Sequence, residues 1–234
     1  MKVSVCMATY NGSKYISKQL NSILSQLKLE DEIIIVDDFS TDDTVNIIKK
    51  INDKRIILIN NPQNLGVVYS FDKALSMVNG DIVFLSDQDD EWMNNKVEVI
   101  LDFFKTEDID LIVHDALIVP QVKYLYISLS NFAKSRGGFF YNVYSNTFTG
   151  CCMAFRTSIL KKILPIPTYN GVYHDAWIGI LSELYRFKVK FIQIPLIQWN
   201  RHENNTSTTN RRALKQIIID RFNLLYGIFR HILK

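Results

Sequence analysis

The chain has 234 residues, of which 47% are hydrophobic and 22% charged, and its formal net charge is +3 at pH 7. These proportions are typical of a globular protein with a substantial core, and they exclude a disordered or low-complexity chain. No stretch reaches about 18 consecutive uncharged apolar residues, so the sequence predicts no transmembrane helix, and its first residues do not resemble a signal peptide.

The first part of the chain alternates between apolar runs, which predict buried strands, and amphipathic segments, which predict helices. The predicted strands cover residues 3–7, 32–36, 55–59 and 82–85, and the predicted helices end near residues 26, 50 and 78. Ser13 is the expected cap of the first helix, and residues 40–44 are the expected cap and first turn of the second. This alternation predicts an α/β fold with a mostly parallel, Rossmann-like sheet flanked by helices.

Two of these strands end in paired acidic residues. Asp37 and Asp38 follow the second strand, and Asp87 and Asp89 follow the fourth. Parallel strands share a carboxyl end, so we expect both pairs at one edge of the sheet. Mg²⁺ or Mn²⁺ binds to one or two such carboxylates and takes its other oxygens from phosphates and water. The alternative for the later pair is an acidic turn before a helix, since acids favour helix starts.

The second part of the chain is less regular. A helix over residues 93–105 and strands over residues 110–114, 150–155 and 188–194 are predicted, the last strand being closed by Pro195. A helix is also expected over residues 175–185, after a short one that Thr157 caps. Residues 115–148 contain only a candidate strand at 124–129, and long irregular stretches in compact domains are often binding loops.

The three cysteines, Cys6, Cys151 and Cys152, lie in apolar surroundings and have neither C-x-x-C spacing nor an even count. They predict buried, reduced thiols in a cytoplasmic protein.

The last 24 residues differ from the body of the chain in charge. Residues 211–234 hold six basic residues against one acidic residue, a net charge of +5, which leaves −2 for the rest. Apolar residues recur there at helical spacing, so we predict a C-terminal amphipathic helical tail. Such a helix can lie on an anionic membrane, pack on the body or form half of a homodimer contact. The body has no basic patch interleaved with aromatic residues, so no nucleic acid is expected as a partner.

Four motifs mark the first half of the chain: Val3-Ser4-Val5-Cys6-Met7-Ala8-Thr9-Tyr10-Asn11-Gly12, Ile35-Val36-Asp37-Asp38-Phe39-Ser40-Thr41-Asp42-Asp43-Thr44, Asn64-Leu65-Gly66 and Asp87-Gln88-Asp89-Asp90. In both order and spacing they resemble those of family 2 glycosyltransferases with the GT-A fold. The resemblance covers roughly the first 115 residues strongly and continues more loosely to His202. The sequence of the acidic segment, residues 86–92, is similar to that of bacterial rhamnosyltransferase-type members of polysaccharide and O-antigen clusters. The looser part of the resemblance runs through Thr149-Gly150-Cys151 and His174-Asp175.

The resemblance implies an inverting, metal-dependent transferase that moves a sugar from a UDP- or dTDP-sugar, with Mn²⁺ or Mg²⁺ as cofactor. It implies a glycan or an undecaprenyl-linked acceptor in O-antigen or capsule biosynthesis, at the inner face of the plasma membrane. Residues 1–205 would be the transferase domain, with a nucleotide-binding half at 1–115 and an acceptor-binding half at 116–205. Residues 206–234 would be the basic tail.

The same resemblance implies roles for particular residues in donor binding. Asp38 would accept the N3–H of uracil or thymine, and the alternative is a helix cap. The loop holding Ala8, Thr9 and Tyr10 would wrap the base and ribose, although Tyr10 as packing is equally open. Gly66 belongs to the same nucleotide-binding set.

The acidic segment matches the D-x-D metal motif of the family. Asp89 is the first candidate for direct ligation of the metal, and Asp87 would contact the ribose or a metal-bound water. Asp90 and Glu91 are assigned to the turn and the helix after it. His202 would complete the metal shell or contact the diphosphate, although a lone histidine is usually not a ligand.

Asp175 is the candidate general base, because the resemblance places an acidic motif at the start of a helix there. The alternative is that Asp175 is only the N-cap of that helix. Here the preceding residue is His174, where many members of the family have an acid, and the role of His174 stays open.

Three functions other than sugar transfer are alternatives for this sequence. A sugar nucleotidyltransferase would need a glycine-rich first loop with a basic residue to hold a triphosphate. A receiver-like signalling module would be about half this length and would carry its acids after the first strand. A catalytically inactive nucleotide-sugar-binding subunit is the third, and intact acids at 38, 87, 89 and 175 argue against it.

Overall fold

A computed structural model describes residues 1–119, 127–128, 136–200 and 213–233. The strands are β1 (Val3–Thr9), β2 (Glu32–Asp37), β3 (Ile56–Asn60), β4 (Ile82–Ser86), β5 (Glu91–Trp92), β6 (Leu111–Val119), β7 (Ile127–Ser128), β8 (Met153–Arg156) and β9 (Val189–Asn200). The α-helices are α1 (Ile16–Leu24), α2 (Thr44–Ile51), α3 (Val67–Leu75), α4 (Lys96–Thr106), α5 (Phe139–Tyr144), α6 (Leu160–Ile163), α7 (His174–Leu184) and α8 (Leu214–Ile232). Two 3-10 turns, Gly150–Cys152 and Thr157–Ile159, precede β8 and α6.

The strands form one sheet in the order β3-β2-β1-β4-β8-β6-β9-β5, with β7 beside β6. Strands β1 to β4, β6 and β9 run in one direction, whereas β5, β7 and β8 run in the other. The predicted α/β fold with a mostly parallel sheet flanked by helices is confirmed.

The central strands are buried on both faces, which explains their continuous apolar runs. All six residues of β2 are buried, and Ile33, Ile34 and Ile35 are fully so. Burying a side chain of this size contributes about 1.5–3 kcal/mol. Helix α3 packs against β1 and β2, and α1 packs against α2.

The register of the sheet brings the ends of β1, β2 and β4 together. Thr9 pairs with Asp37, and Met7 pairs with Ser86, so the acidic segments after β2 and β4 flank the loop after β1. The predicted convergence of these segments at one edge of the sheet therefore agrees with the structure.

Four predictions about local structure were wrong. Helix α1 begins at Ile16 with Tyr15 as its N-cap, so Ser13 is not the cap. The Ser13 N–H instead joins the loop after β1 to Asp42, at 3.1 Å. Pro195 does not close β9, which continues to Asn200. The proline lies where the register against β6 shifts, and such irregularities are where strands tolerate a missing N–H.

The other two corrections concern the acidic segment and the region before β8. Helix α4 begins only at Lys96, and Glu91 lies in β5, which pairs with β9, so Glu91 serves neither a turn nor that helix. Glu91 forms an ion pair with Lys18 at 2.7 Å. Residues 150–152 form a 3-10 turn and not a strand. Of the candidate strand at 124–129, residues 124–126 and 129 lie outside the described residues, and the rest forms β7.

The tail helix α8 packs on the body through one face. Leu224 and Ile228 are buried, as is Asp220, which accepts a hydrogen bond from Gln216 at 2.8 Å. Nε2 of His231 lies 2.7 Å from the carbonyl oxygen of Lys162, which ties α8 to α6. The tail therefore packs on the body in this structure, which is one of the three arrangements that the sequence allows.

The opposite face of α8 is apolar and exposed. The exposed apolar residues recur there at intervals of four and three residues in turn, a repeat that places their side chains in one stripe along the helix. No helix among the described residues is both long enough and apolar enough to cross a membrane. The exposed stripe consists of Ile218, Phe222, Leu225, Phe229 and Ile232.

His114 gives the fold a predictable dependence on pH. Burial in β6, together with the charge of Lys96, lowers the pKa of His114 well below its usual range. Below about pH 6.5 the unfolded chain therefore binds a proton that the folded chain excludes, and the stability that His114 contributes is lost as the pH falls. We expect His114→Gln to reduce this loss by up to about 1.4 kcal/mol per pH unit.

The measurement is urea unfolding of both proteins at about pH 7.5 and about pH 5.5. Buried carboxyl groups titrate in both proteins, so they cancel when the two pH dependences are compared. His231→Gln is the matched control, because His231 is only partly buried. Equal pH dependence in wild type and His114→Gln would contradict the prediction.

Candidate active site

The loop after β1 is fixed by its own backbone amides. The N–H groups of residues 10–13 donate in turn to side-chain oxygens of Gln88, Ser40, Thr44 and Asp42 at 2.8–3.1 Å. Each bond joins this loop to the segment after β2 or after β4. The three segments at the sheet edge therefore form one hydrogen-bonded unit.

Gln88 is the residue that joins the first loop to the acidic segment. Its Oε1 accepts from the Tyr10 N–H at 3.0 Å, and its Nε2 donates to the Tyr10 carbonyl at 3.1 Å. A Cβ on Gly12 would lie 2.2 Å from Gln88 Oε1, so only glycine leaves room for this side chain. Sequence reasoning missed Gln88 because an amide between two acids looks like a spacer.

Gln19, on α1, fixes the end of β4 through hydrogen bonds. It is fully buried on α1, and its Nε2 donates to Ser86 Oγ at 2.7 Å and to the Asp87 carbonyl at 3.0 Å. A buried glutamine on the apolar face of a predicted helix was the signal that could have identified it.

Asp37 and Asp38 organise the neighbouring loops. Asp37 accepts from Thr9 Oγ1 at 3.0 Å and from the N–H and hydroxyl of Ser40 at 2.8 and 2.6 Å. Ser40 is therefore engaged with Asp37 and does not cap α2, whose first N–H, that of Thr44, donates to Asp42 at 3.0 Å.

The Asp38 carboxylate holds the Asn64-Leu65-Gly66 motif in place. It accepts from Asn61 Nδ2 at 2.9 Å and from the N–H groups of Leu65 and Gly66 at 2.8 Å each. Gly66 has a φ of 91°, which favours glycine. An ionised carboxylate offers about four acceptor positions, so these three bonds leave about one for a ligand.

The acidic segment after β4 contributes Asp87 and Asp90 to a buried cluster with Cys151, whereas the sequence analysis named Asp89 and Asp87 as the metal candidates. One oxygen each of Asp87 and Asp90 and the Cys151 sulfur lie within 4.8 Å of one another. Asp90 is 2% exposed, and its Oδ2 has no hydrogen-bond partner. Its Oδ1 accepts from the Asn200 N–H at 3.3 Å. The assignment of Asp90 to a turn and the helix after it was therefore wrong.

The electrostatics of the cluster favour the binding of a cation. Burial, followed by the negative charges of Asp89 and Asp175, raises the pKa of Asp87 to about 7. Burial, followed by the charges of Asp87 and Asp89, raises the pKa of Asp90 well above its usual range. A divalent cation would offset this repulsion and occupy the unpartnered Asp90 oxygen, so the residues fit a bound metal ion.

Lys96 supplies one internal cation next to this cluster. Its side chain is fully buried at the start of α4, where Nζ donates to the Cys151 carbonyl at 2.9 Å and lies 4.1 Å from the Trp92 ring centroid. Burial lowers the pKa of Lys96 to about 8, against the opposing influence of the cysteines and of Asp90 and Asp87. One lysine therefore compensates only part of the acidic charge.

Asp175 lies across from these acids in the first turn of α7. The N-cap of the helix is Tyr173 and not Asp175, so the simple capping alternative was wrong. Asp175 is partly exposed, its Oδ1 accepts from the Ala176 N–H at 2.6 Å, and its charge contributes to the raised pKa of Asp87. The candidate base is thus electrostatically linked to the acidic segment.

His174 is buried beside Asp175 and is held by packing. Its ring stacks on Phe71 with centroids 3.9 Å apart and an interplanar angle of 18°. Neither ring nitrogen has a hydrogen-bond partner, and burial lowers the pKa of His174, so it is neutral at pH 7. A Cβ on Gly150 would lie 2.8 Å from His174 Nε2 and 3.6 Å from Asp175 Cβ, so glycine permits the 3-10 turn to approach α7.

The remaining predicted residues are placed as follows. Ala8 and Thr9 end β1, and Tyr10 follows with its side chain 46% exposed. Asp89 is partly buried, and its carbonyl accepts from Asn200 Nδ2 at 2.9 Å. His202 lies outside the described residues.

Comparison with known proteins identifies the class of this fold and site. Residues 4–164 match the model of glycosyl transferase family 2. The chain belongs to this family, and it is a glycosyltransferase by that membership.

Three curated relatives illustrate the range of the family. The chain is 27% identical to the uncharacterized glycosyltransferase alr2836 of Nostoc sp., over 92% of this chain and 71% of that protein. It is 40% identical to the Escherichia coli UDP-Glc:alpha-D-GlcNAc-diphosphoundecaprenol beta-1,3-glucosyltransferase WfaP, over 46% of this chain and 43% of WfaP. It is 35% identical to the dTDP-rhamnosyl transferase RfbG of Shigella flexneri, over 41% and 36% of the two chains. The matches to WfaP and RfbG thus span less than half of each protein.

Two solved structures share the fold. S. aureus TarS 1–349 in complex with UDP-GlcNAc superposes with a TM-score of 0.78 at 21% identity, over 97% of this chain and 66% of that chain. The mannosyltransferase PcManGT from Pyrobaculum calidifontis, in complex with GDP-Man and Mn²⁺, gives 0.65 at 18% identity, over 99% and 64% of the two chains. The GT-A fold expected from the sequence resemblance is therefore confirmed.

Removal of the Gln88 side chain tests the link between the two loops. Gln88→Ala loses two hydrogen bonds to Tyr10, each of which contributes about 0.5–1.5 kcal/mol. We expect the free energy of unfolding to fall by about 1–2 kcal/mol in urea unfolding. Gln63→Ala is the control, because Gln63 is an exposed glutamine, and an equal effect of both changes would contradict the prediction.

Proposed function

We propose that this chain is an inverting, metal-dependent glycosyltransferase that transfers a sugar from a UDP- or dTDP-sugar to a glycan or an undecaprenyl-linked acceptor in cell-surface polysaccharide assembly. The observation that carries the proposal is the acidic cluster at the sheet edge, in which Asp90 Oδ2 is buried without a partner and Asp175 lies within electrostatic reach of Asp87. Family membership favours transfer over nucleotidyl chemistry.

The donor nucleotide is proposed to bind against the loop after β1. Asp38 retains about one acceptor position, which suits the N3–H of uracil or thymine. Ala8, Thr9 and Tyr10 would line the base and ribose, and Gly66 would keep the facing loop close. The names of WfaP and RfbG make UDP-glucose and dTDP-rhamnose the first donors to test.

The diphosphate is proposed to lie at the acidic segment, with the metal ion, Mn²⁺ or Mg²⁺, held by Asp87 and Asp89. His202 is proposed to complete this arrangement, because Asn200, two positions earlier in the sequence, is hydrogen-bonded to both Asp89 and Asp90. When bound, the ion would offset the negative charge that develops on the leaving diphosphate.

Asp175 is proposed as the general base. Its carboxylate would accept the proton of the acceptor hydroxyl while the hydroxyl oxygen attacks the anomeric carbon from the face opposite the diphosphate. His174 would keep Asp175 in position as a neutral packed ring, since a charged ring there would be buried without a partner. A positioned base of this kind typically contributes about 100- to 10,000-fold in rate.

The test is a thermal-shift panel followed by a transfer assay. We expect the wild type to be stabilised by UDP-glucose, dTDP-rhamnose or another UDP- or dTDP-sugar in the presence of Mn²⁺. We expect Asp175→Asn to retain this donor-induced shift and to lose transfer by about 100-fold or more.

Glu183→Gln is the control for this experiment, because it removes the charge of an acid in the same helix, two turns beyond Asp175. Near wild-type turnover by Asp175→Asn would contradict its role as base. A wild type that is stabilised by a donor sugar but transfers it to no acceptor would instead favour the inactive nucleotide-sugar-binding subunit.

The apolar stripe of α8 is proposed to rest on the membrane that carries a lipid-linked acceptor. The segment 211–234 carries a net charge of +5, which attracts anionic lipids, and each cation near such a surface is worth about 1 kcal/mol. Helix α5 contacts α8 and exposes two aromatic residues, Phe140 and Tyr144, of the kind that enter membrane interfaces. The cytoplasmic location expected from the sequence belongs to the same proposal, with the inner leaflet as the surface contacted.

Vesicle co-sedimentation tests the membrane contact without removing the packed helix. Because Phe222 and Phe229 are 69% and 60% exposed, Phe222→Ser and Phe229→Ser should leave the fold intact. We expect each change to weaken binding to phosphatidylglycerol-containing vesicles by about tenfold, from the apolar area that is no longer buried. The measurement is the bound fraction at rising lipid concentration.

Leu29→Ser is the matched control, since Leu29 is 92% exposed and lies far from α8 in the sequence. Binding that is equally strong with all three variants would contradict the proposal. A homodimer in solution that the phenylalanine variants dissociate, with no vesicle binding by the wild type, would assign the stripe to a second copy of the chain.

A further inference from the structure

Cys151 is the one member of the cluster that is not an acid, and the family resemblance assigns it no role. Its sulfur lies within 4.8 Å of one oxygen each of Asp87 and Asp90. The residue is 2% exposed, and its backbone is fixed by the bond from Lys96 Nζ to its carbonyl. A sulfur atom is therefore held in place between two carboxylates.

The three side chains have the dimensions of a metal site. A divalent ion such as Zn²⁺ lies about 2.3 Å from a cysteine sulfur and about 2.0–2.2 Å from a carboxylate oxygen. Ligand atoms on one ion are thus about 3–4.5 Å apart, and those of Asp87, Asp90 and Cys151 already lie within 4.8 Å. The unpartnered Oδ2 of the buried Asp90 is a second, independent indication of a ligand at this place.

We infer that Cys151 is a further ligand of the divalent ion, binding it as a thiolate from the inner side of the acidic segment, next to Asp87 and Asp90 and in addition to the proposed ligand Asp89. On binding, the S–H bond breaks, a sulfur–metal bond forms and the proton passes to the solvent. A diphosphate oxygen would reach the ion from the side of the partly exposed Asp87. The inference rests on the proposed function, because the proposed sugar transfer is what gives the ion its role.

A thiolate ligand changes which ions the site selects. Sulfur favours softer ions, whereas an all-oxygen site suits Mg²⁺ and Ca²⁺. The structure therefore predicts that this chain binds Cd²⁺ and Co²⁺ through sulfur and prefers them to Mg²⁺. Cys152, the adjacent buried thiol, lies outside the cluster among the described residues.

The experiment is a titration of the full chain with Cd²⁺ alone, followed by ultraviolet absorption of the sulfur-to-cadmium charge-transfer band. We expect one equivalent to produce the band in wild type and in Cys152→Ser, and no band in Cys151→Ser. We also expect Cys151→Ser to bind Cd²⁺ at least about tenfold more weakly, as even supporting groups of a metal site are worth that much.

All three cysteines of the chain are buried, so a band cannot come from an exposed thiol. Absence of the band in a folded wild type, or its persistence in Cys151→Ser, would overturn the inference. Far-ultraviolet circular dichroism verifies the fold of each variant. The donor-induced thermal shift with Mg²⁺ is measured in parallel, so that a chain that binds donor without a sulfur–cadmium band separates failure of this inference from failure of the proposed function.

Discussion

The arrangement of this protein depends on how it keeps several carboxylates close together at the end of a buried strand. Like charges at this distance resist ionisation, and the raised pKa values of Asp87 and Asp90 express that cost. The body compensates in part with the charge of Lys96 and with the Asn200 N–H, which donates to Asp90. These groups leave Asp90 Oδ2 unsatisfied, which a fold built for stability alone would avoid.

The same cost explains why the surrounding loops are so heavily cross-linked. An acidic segment that repels itself would rearrange unless other segments held its backbone. Gln19 fixes the Asp87 carbonyl from α1, Gln88 fixes the loop after β1, and Asn200 binds the segment from the end of β9. Each of these contacts joins parts of the chain about 70 residues or more apart, as their separations of 68, 78 and 111 show. The geometry of the site is therefore a property of the whole sheet.

The sequence allowed much of the fold to be predicted, for identifiable reasons. The strands up to β4 are continuous apolar runs ended by turn residues, and the alternation with helices leaves few topologies. The family motifs then pointed to Asp38, Asp87, Asp89 and Asp175. Predictions failed where a long-range contact overrides a local preference. Pro195 stays within a strand because the register shifts there, and Glu91 is drawn into β5 by β9.

The same distinction applies to the site. Gln88 carries no local signal, and Gln19 shows only a glutamine on the apolar face of its helix, because the partners of both are set by tertiary structure. The roles of Asp90 and Cys151 were hidden for a related reason. In the sequence, Asp90 is one of several acids before a predicted helix, and Cys151 is one of three predicted buried thiols. Only the fold brings ligand atoms of both within 4.8 Å of Asp87. Periodicity and motif spacing can identify an edge of the sheet but not the distances across it.

Helix α8 shows how one helix can serve the fold and still present an apolar surface. Its buried side, with Leu224, Ile228 and Asp220, covers the body next to α6, while the stripe from Ile218 to Ile232 lies on the opposite side. An exposed apolar stripe reduces solubility unless something covers it, and the adjoining positive charge makes an anionic surface a better cover than another basic copy. Because α8 also packs near Trp177 of α7, the helix that presents Asp175, contact with a membrane would fix the orientation of the catalytic helix relative to a lipid-linked acceptor.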